Sequence, residues 1–410
     1  MDRSATKTLK KDPGKASVTS DAPWPSTVSE KIKKDLSLPL LEQNTRLEEV
    51  YDVAIIGAGI AGLSTAMAAA ARGAKVIVLE RASHLAAGAS GKNAGILGAG
   101  VNTPLVNMPK DSPAMALWQS TSELVMQLYS LAAKDKNALI AKNVGALSLA
   151  KSETASKRLI RECKARNSFG LNAEIVTPAR VADLTFDLLD LSDVQCALFL
   201  PDEGRINPWT LLAYSARQAR KHGCTLFGGA DITERALCYV GTGRTKSQAW
   251  RLSTASGSVI KAASLVYAIG PVVNANRRIY AISYQIDLPE MFPLFWDSNP
   301  FTYYDYRGGE GFLTVTGGKY GNAGQAAADE RFHEGMISAA RSWMPALRKL
   351  TPTHKWAVDL EVASDMMPES VEVSKNPPAF SILGLGALGV LPGMVLGKET
   401  GEKIAGLCSV

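Results

Sequence analysis

Residues 51–73 constrain the fold more than any other stretch. Tyr51 to Ile56 (YDVAII) is a continuous apolar run, GAGIAG follows at once, and an alanine-rich helix pattern from Leu63 to Arg72 closes on Gly73. A strand with no polar alternation is buried on both faces, as inside a parallel sheet. Lys75 to Leu79 (KVIVL) reads as a second such strand, so the stretch forms a strand–helix–strand unit that ends at Glu80. Gly57, Gly59 and Gly62 stand in G-x-G-x-x-G spacing between strand and helix, the context that gives this pattern its meaning. The first glycine permits the tight turn, the second lets a pyrophosphate approach the backbone, and the third lets the helix pack closely on the strand. The helix start at Ile60 and Ala61 turns its amides and positive dipole end toward the phosphates. Glu80 lies 18 residues after Gly62, where it can accept the hydroxyls of an adenosine ribose. Its charge disfavours a 2′-phosphate even though Arg81 follows.

The rest of the chain is read around this unit. Its 410 residues correspond to two or three domains at about 150 residues each. A formal charge of +6, with no run of five or six like charges, argues against a nucleic-acid or lipid-headgroup partner. The cysteines Cys163, Cys196, Cys224, Cys238 and Cys408 are scattered, without C-x-x-C pairing or histidines at zinc-ligand spacing. That pattern argues for a reducing compartment, taken as cytoplasmic, and against both a disulfide framework and a metal site.

Val53 to Ala71 and Ala379 to Gly397 are each nineteen residues without a charge. Their glycines, and Pro392 in the second, argue against spanning helices and for buried strand–turn–helix segments. The first 34 residues hold eight Lys/Arg against four Asp/Glu and few large apolar residues, so residues 1–49 are expected to be a flexible extension. Asp2, Asp12 and Asp21 interrupt the basic character of an organellar presequence. Further along, helices are expected after Ser112–Pro113 and after Asn207–Pro208, a strand over Cys224–Phe227 and a β-meander between about 234 and 270. An aromatic, strand-rich region follows from 291, and the chain closes with strand, glycine turn and helix.

Four segments carry a resemblance to the flavin-dependent D-amino-acid oxidase superfamily, which includes glycine oxidase, sarcosine oxidase and many amine and amino-acid dehydrogenases. They are YDVAIIGAGIAGLSTAMAAAARGAKVIVLER, GASGKNAGIL at 88–97, PDEGRINPWTLLAYSARQARKHGCTLF at 201–227 and the C-terminal GLGALGVLPGMVLGKETGEKIAGL. The resemblance implies an α/β fold, in which an FAD-binding Rossmann-like (two-dinucleotide-binding) domain interleaves with a β-rich α+β substrate domain. On this reading the FAD-binding domain takes residues 50–110, 190–270 and 356–410, and the substrate domain takes 111–189 and 271–355.

The resemblance also implies the cofactor and its contacts. Ala89, Ser90, Gly91, Lys92, Asn93, Ala94 and Gly95 would wrap the pyrophosphate and flavin. Ile232 and Gly270 would touch adenosine and pyrophosphate, and Gly389, Gly393 and Met394 would sit at the flavin's pyrimidine edge. Relatives carry a histidine and a proline in that last turn where this chain has Leu388 and a differently placed Pro392. Residues 351–383 contain no cysteine for the covalent attachment seen in some sarcosine oxidases, so the FAD is expected to be noncovalent.

The implied reaction moves a hydride from an amine-bearing carbon to flavin N5, and the resulting imine hydrolyses. Arg307 is the first candidate for a substrate carboxylate, with Arg205 and Arg277 behind it, and Tyr303, Tyr304 and Tyr306 alternate on the two faces of its strand. The implied partners are a small amine or amino acid, an electron acceptor (oxygen, a quinone or an electron-transfer protein) and a second copy or another subunit. A 2-hydroxy-acid dehydrogenase, and a catalytically quiet flavoprotein acting in assembly or as a partner subunit, stay open beside this reading. Aromatic hydroxylases are disfavoured because no Gly-Asp pair occurs in the chain.

Overall fold

The computed structural model describes residues 18–101, 103–109, 112–241, 246–270, 275–297 and 304–408. The apolar run extends into strand Arg46–Ile56, whose last residues sit at the centre of an eight-stranded sheet. Val76–Leu79 pairs parallel on one side and Val259–Tyr267 parallel on the other. Thr225–Phe227 extends the parallel set beyond Val76–Leu79, and Pro378–Leu383 pairs parallel with Val259–Tyr267. The expected meander is present as Ile232–Val240, Ser247–Thr254 and Val259–Tyr267, antiparallel in succession. Val53 and Ile55 face the core that contains helix Ile60–Ala71, while Ala54 packs with Leu252 and Ile260 of the meander.

A second eight-stranded sheet runs in the order His354–Leu360, Arg277–Gln285, Phe312–Gly321, Tyr304–Gly309, Leu294–Asp297, Ala146–Ala150, Cys196–Leu200 and Glu174–Val176. Helix Asp329–Trp343 covers one face, burying Met336, Ile337, Ala340 and Trp343 against Tyr280, Ile282 and Tyr306. Three expected boundaries shift. Cys196–Leu200 and His354–Leu360 belong to this second sheet, which moves the limits drawn at 190 and 356. Helix Pro113–Lys134, assigned by its place in the chain to the substrate domain, buries Val125, Leu128 and Ala132 in the dinucleotide core instead.

The expectation of a flexible extension over residues 1–49 is corrected for residues 18–49. A short 3-10 turn at Trp24–Ser26 leads into helix Glu30–Leu36, and Trp24, Ile32, Leu36, Leu38 and Leu41 are all buried. Average composition hid this, because the few large apolar residues are each placed to be covered and Ile32 and Leu36 share a helix face.

The closing helix is Val390–Cys408. Its glycines make a seam. A Cβ on Gly397 would lie 2.4 Å from the Ala61 carbonyl oxygen, and one on Gly401 2.4 Å from that of Thr65. Close approach to helix Ile60–Ala71 offsets the poor helix propensity of glycine. Among the described residues no helix is long and apolar enough to cross a membrane.

A buried charge cluster ties the loop after Gly100 to the second domain. Glu162 accepts from the amides of Leu105 (3.1 Å) and Val106 (3.0 Å), and Arg166 bridges Glu162 (2.9 Å) and Glu203 (2.8 Å). Burial pushes the Glu203 carboxyl up, while Arg166 pulls it down. Its folded-state value therefore lies above the unfolded one, and its contribution is present in acid and lost as pH rises through that folded value. Arg166→Met leaves two buried carboxylates unneutralised, so unfolding should show a loss of about 3–5 kcal/mol near neutral pH. The deficit should narrow as the pH is lowered, because a protonated Glu203 no longer needs a cation.

Candidate functional site: a dinucleotide cleft and a buried arginine pair

The glycine loop is shaped by backbone contacts on every side. Gly57 has φ +98°, and a Cβ there would lie 2.4 Å from the Ala268 carbonyl oxygen. A Cβ on Gly62 would lie 2.0 Å from the carbonyl oxygen of Gly57. No side chain caps helix Ile60–Ala71 at Gly59. Instead Ser90 Oγ accepts from the Ile60 amide at 3.1 Å, which brings the second predicted loop onto the first. Glu80 accepts from Ala58 (2.9 Å) and Ala82 (3.0 Å), so two backbone amides fix its carboxylate at the strand end. Those two bonds use about half of the acceptor capacity of an ionised carboxylate. Arg81 is exposed on the turn that follows.

Ala89–Lys92 forms one helical turn, and Gly91 is buried. Asn93 closes the turn, with Nδ2 donating to Ser90 O at 2.7 Å and Oδ1 accepting from Gly95 N at 2.8 Å. Ala94 is buried, and Gly95, at φ +71°, would set a Cβ 2.0 Å from the Ile206 carbonyl oxygen. Gly393 lies in the first turn of the closing helix, where a Cβ would sit 3.5 Å from Ile60 and 3.6 Å from Ala61. Two helix N-termini thus converge on the Gly57–Gly62 loop, and both aim their positive dipole ends there. Met394 packs into the dinucleotide core, and Gly389 packs on Leu385. Ile232 opens the first meander strand, and Gly270 (φ +59°) follows the Ala268 carbonyl that Gly57 touches.

Three tryptophans from distant parts of the chain hold the Gly91–Asn93 turn, and none was marked by sequence reasoning. Their indole N–H groups donate to successive carbonyls: Trp209 to Gly91 (3.2 Å), Trp356 to Lys92 (2.9 Å) and Trp24 to Asn93 (3.0 Å). Helix-terminal carbonyls need partners when water is excluded, and here indoles supply them.

Arg307 and Tyr304 do not share a face. Tyr304 and Tyr306 pack toward the core under helix Asp329–Trp343, with Tyr306 stacked on Phe295 at 4.2 Å. Tyr303 lies outside the described residues. Arg307 occupies the opposite face with 0% exposure, and its Nη2 donates to the Ile206 carbonyl (3.4 Å), the same oxygen that Gly95 approaches. It also pairs with Glu310 and donates to Gly309 O (3.3 Å), and its buried Nε has no hydrogen-bond partner among the described residues. Arg205 joins it, 3.9 Å from Glu310 and bonded to the carbonyls of Gly308 (2.8 Å) and Glu290 (2.9 Å). Burial, and then the neighbouring Arg307, hold Arg205 below the ordinary arginine range. Arg277, the other runner-up, is exposed at the start of its strand.

Glu310 was missed because it sits at a hairpin tip. Glu310 and Gly311 both take positive φ, +52° and +79°, the conformation of a two-residue type I′ turn. The turn aims the Glu310 carboxylate back at two guanidiniums, so two buried cations share one anion.

A parallel sheet, a glycine-shaped cradle at two helix starts and a carboxylate at the second strand end define a dinucleotide-binding protein. The comparisons carry this further. Residues 52–403 match the DAO family, FAD dependent oxidoreductase, and the chain belongs to it. FAD is accordingly its cofactor, and the glycine cradle and Ser90–Gly95 loop are the residues that fit it. The chain is 25% identical to human mitochondrial dimethylglycine dehydrogenase over 57% of its own length and 24% of that protein's. It is 26% identical to one subunit of the anaerobic glycerol-3-phosphate dehydrogenase of Escherichia coli over 46% of its length and 32% of that protein's. The chain therefore spans a third or less of these curated relatives. Its fold is shared with L-proline dehydrogenase from P. horikoshii (TM-score 0.72, 18% identity, 87% of this chain and 94% of that one). It is also shared with glycine oxidase from Bacillus cereus (TM-score 0.69, 19% identity, 87% and 95%).

Proposed function

We propose that this protein oxidises the C–N bond of an amine or amino acid that carries a carboxylate, working in a reducing compartment such as the cytoplasm. FAD, bound noncovalently, supplies the hydride acceptor. The observation that carries the reading is the buried pair Arg205 and Arg307 sharing Glu310, one carbonyl away from Gly95 of the flavin loop. Two guanidiniums with one carboxylate leave an uncompensated positive charge in a dry site, and a ligand carboxylate completes it. Dimethylglycine, glycine and proline, named in the relatives and neighbours above, each place a nitrogen beside a carboxylate.

In this reading the guanidinium of Arg307 fixes the carboxylate end of the substrate and thereby orients the amine-bearing carbon. Hydride transfer depends on such alignment, at about 3–3.5 Å between reacting atoms, more than on a strong base. Glu310 keeps the arginines ordered before substrate arrives.

The test is anaerobic bleaching of the flavin against a panel of amino acids, secondary amines and 2-hydroxy acids. Bleaching is expected with carboxylate-bearing amines. Response to hydroxy acids alone would assign the protein to 2-hydroxy-acid dehydrogenation, and an inert yellow protein to a non-catalytic role. Glu310→Gln removes the internal competitor for the arginines, so it should tighten binding of a simple carboxylate such as acetate by about tenfold or more, measured by flavin difference spectra.

A further inference from the structure

The segment ahead of the dinucleotide fold carries a tryptophan into the space between the two domains. Trp24 is 0% exposed and is held from opposite sides. Its indole N–H donates to Asn93 O at 3.0 Å, and its ring lies 4.8 Å from the Arg307 guanidinium carbon. It packs with Ala281 and Trp356 of the second sheet.

The strap around Trp24 is fastened at three more points. The Thr19 amide donates to Thr353 O (2.9 Å), and the Thr19 carbonyl accepts from Lys355 N (2.9 Å). Asp21 pairs with Lys92 at 3.3 Å, and Thr27 Oγ1 accepts from Asn207 Nδ2 at 2.8 Å. These anchors reach the second sheet, the flavin loop and the cap of helix Pro208–Lys221, so the strap spans the parts that build the site.

We propose that Trp24 is a positioning residue of the substrate site, acting through Arg307. The proposal rests on the reading of Arg307 as the carboxylate anchor. An indole face over a guanidinium attracts it, and more strongly when water is excluded. It also confines the guanidinium to its own plane, which leaves the unpartnered edge at Nε to receive an anion. With the ring removed, water reaches the cation, the local dielectric rises and the arginine gains rotamers, and each of these weakens its hold on a carboxylate. A tryptophan that served only to fill space would not couple to ligand binding.

The experiment uses the full-length flavin-loaded protein, Trp24→Leu and Trp24→Phe, each titrated with benzoate and followed by the flavin absorbance change. Trp24→Leu should weaken benzoate by about tenfold or more, whereas Trp24→Phe, which keeps an aromatic face over Arg307, should stay within about threefold of the unaltered protein. Equal benzoate affinity in Trp24→Leu and the unaltered protein overturns the proposal. An unaltered protein that keeps its flavin yet shows no response to benzoate overturns the Arg307 reading, and this proposal with it. If Trp24→Leu loses its flavin or fold, fluorine NMR of the fluorotryptophan-labelled unaltered protein decides the matter. The Trp24 resonance, identified by its absence in Trp24→Phe, should move on benzoate addition. A stationary resonance while the flavin spectrum reports binding overturns the proposal.

Discussion

Gly62→Ala is expected to purify without flavin. A Cβ at this position would lie 2.0 Å from the Gly57 carbonyl oxygen and 3.1 Å from its carbon, and both are backbone atoms that cannot rotate away. Helix Ile60–Ala71 must therefore lift off strand Arg46–Ile56, carrying the first-turn amides out of register with the phosphates. Overpacking of this kind costs about 1–3 kcal/mol or more in stability, and loss of the cradle's shape adds to that on the binding side. Flavin-to-protein absorbance ratio and melting temperature are the measurements, and a fully yellow Gly62→Ala protein would contradict the assignment. Gly59→Ala provides the contrast. Its Cβ would meet Ser90 Oγ at 3.0 Å, a side chain that can turn aside, so this variant should keep its melting temperature while a methyl where the pyrophosphate approaches weakens its hold on flavin.

Arg307→Leu is expected to keep its flavin and lose selectivity for carboxylate-bearing amines. Removing one partner of a buried, hydrogen-bonded charge pair costs about 2–5 kcal/mol in binding, or roughly one and a half to three and a half orders of magnitude in kcat/KM for such a substrate. Arg205 remains within 3.9 Å of Glu310, so the glutamate is not left without a cation and the fold should survive. An amine lacking the carboxylate should react at a similar rate with both proteins. A loss that is equal for amines with and without the carboxylate would show that Arg307 is needed for architecture alone.

Much of the dinucleotide half was legible because its code is local. Gly57, Gly59 and Gly62 act within one turn of chain, Asn207 caps its own helix by accepting from the amides of Trp209 and Thr210, and the meander strands alternate with period two. The same period separates Tyr304 from Arg307, although it leaves open which face meets the cofactor loop. Gly389 and Gly393 are the C-terminal glycines assigned to the flavin turn. Gly397 and Gly401, which carry no such assignment, face helix Ile60–Ala71, and a helix seam and a ligand turn ask for the same absence of a side chain.

The sequence by itself determined a strand–loop–helix unit for a dinucleotide, the family resemblance and an arginine candidate, since each of these depends on residues near one another in the chain. Tertiary structure alone decided what surrounds that arginine. Arg205 lies 102 residues from Arg307, and Trp24, Trp209 and Trp356 come from three separate regions to hold one turn. No periodicity links such positions. Their meeting is set by how two sheets and an N-terminal strap pack, and the balance of buried charge, two guanidiniums to one carboxylate, exists only after that packing has excluded water.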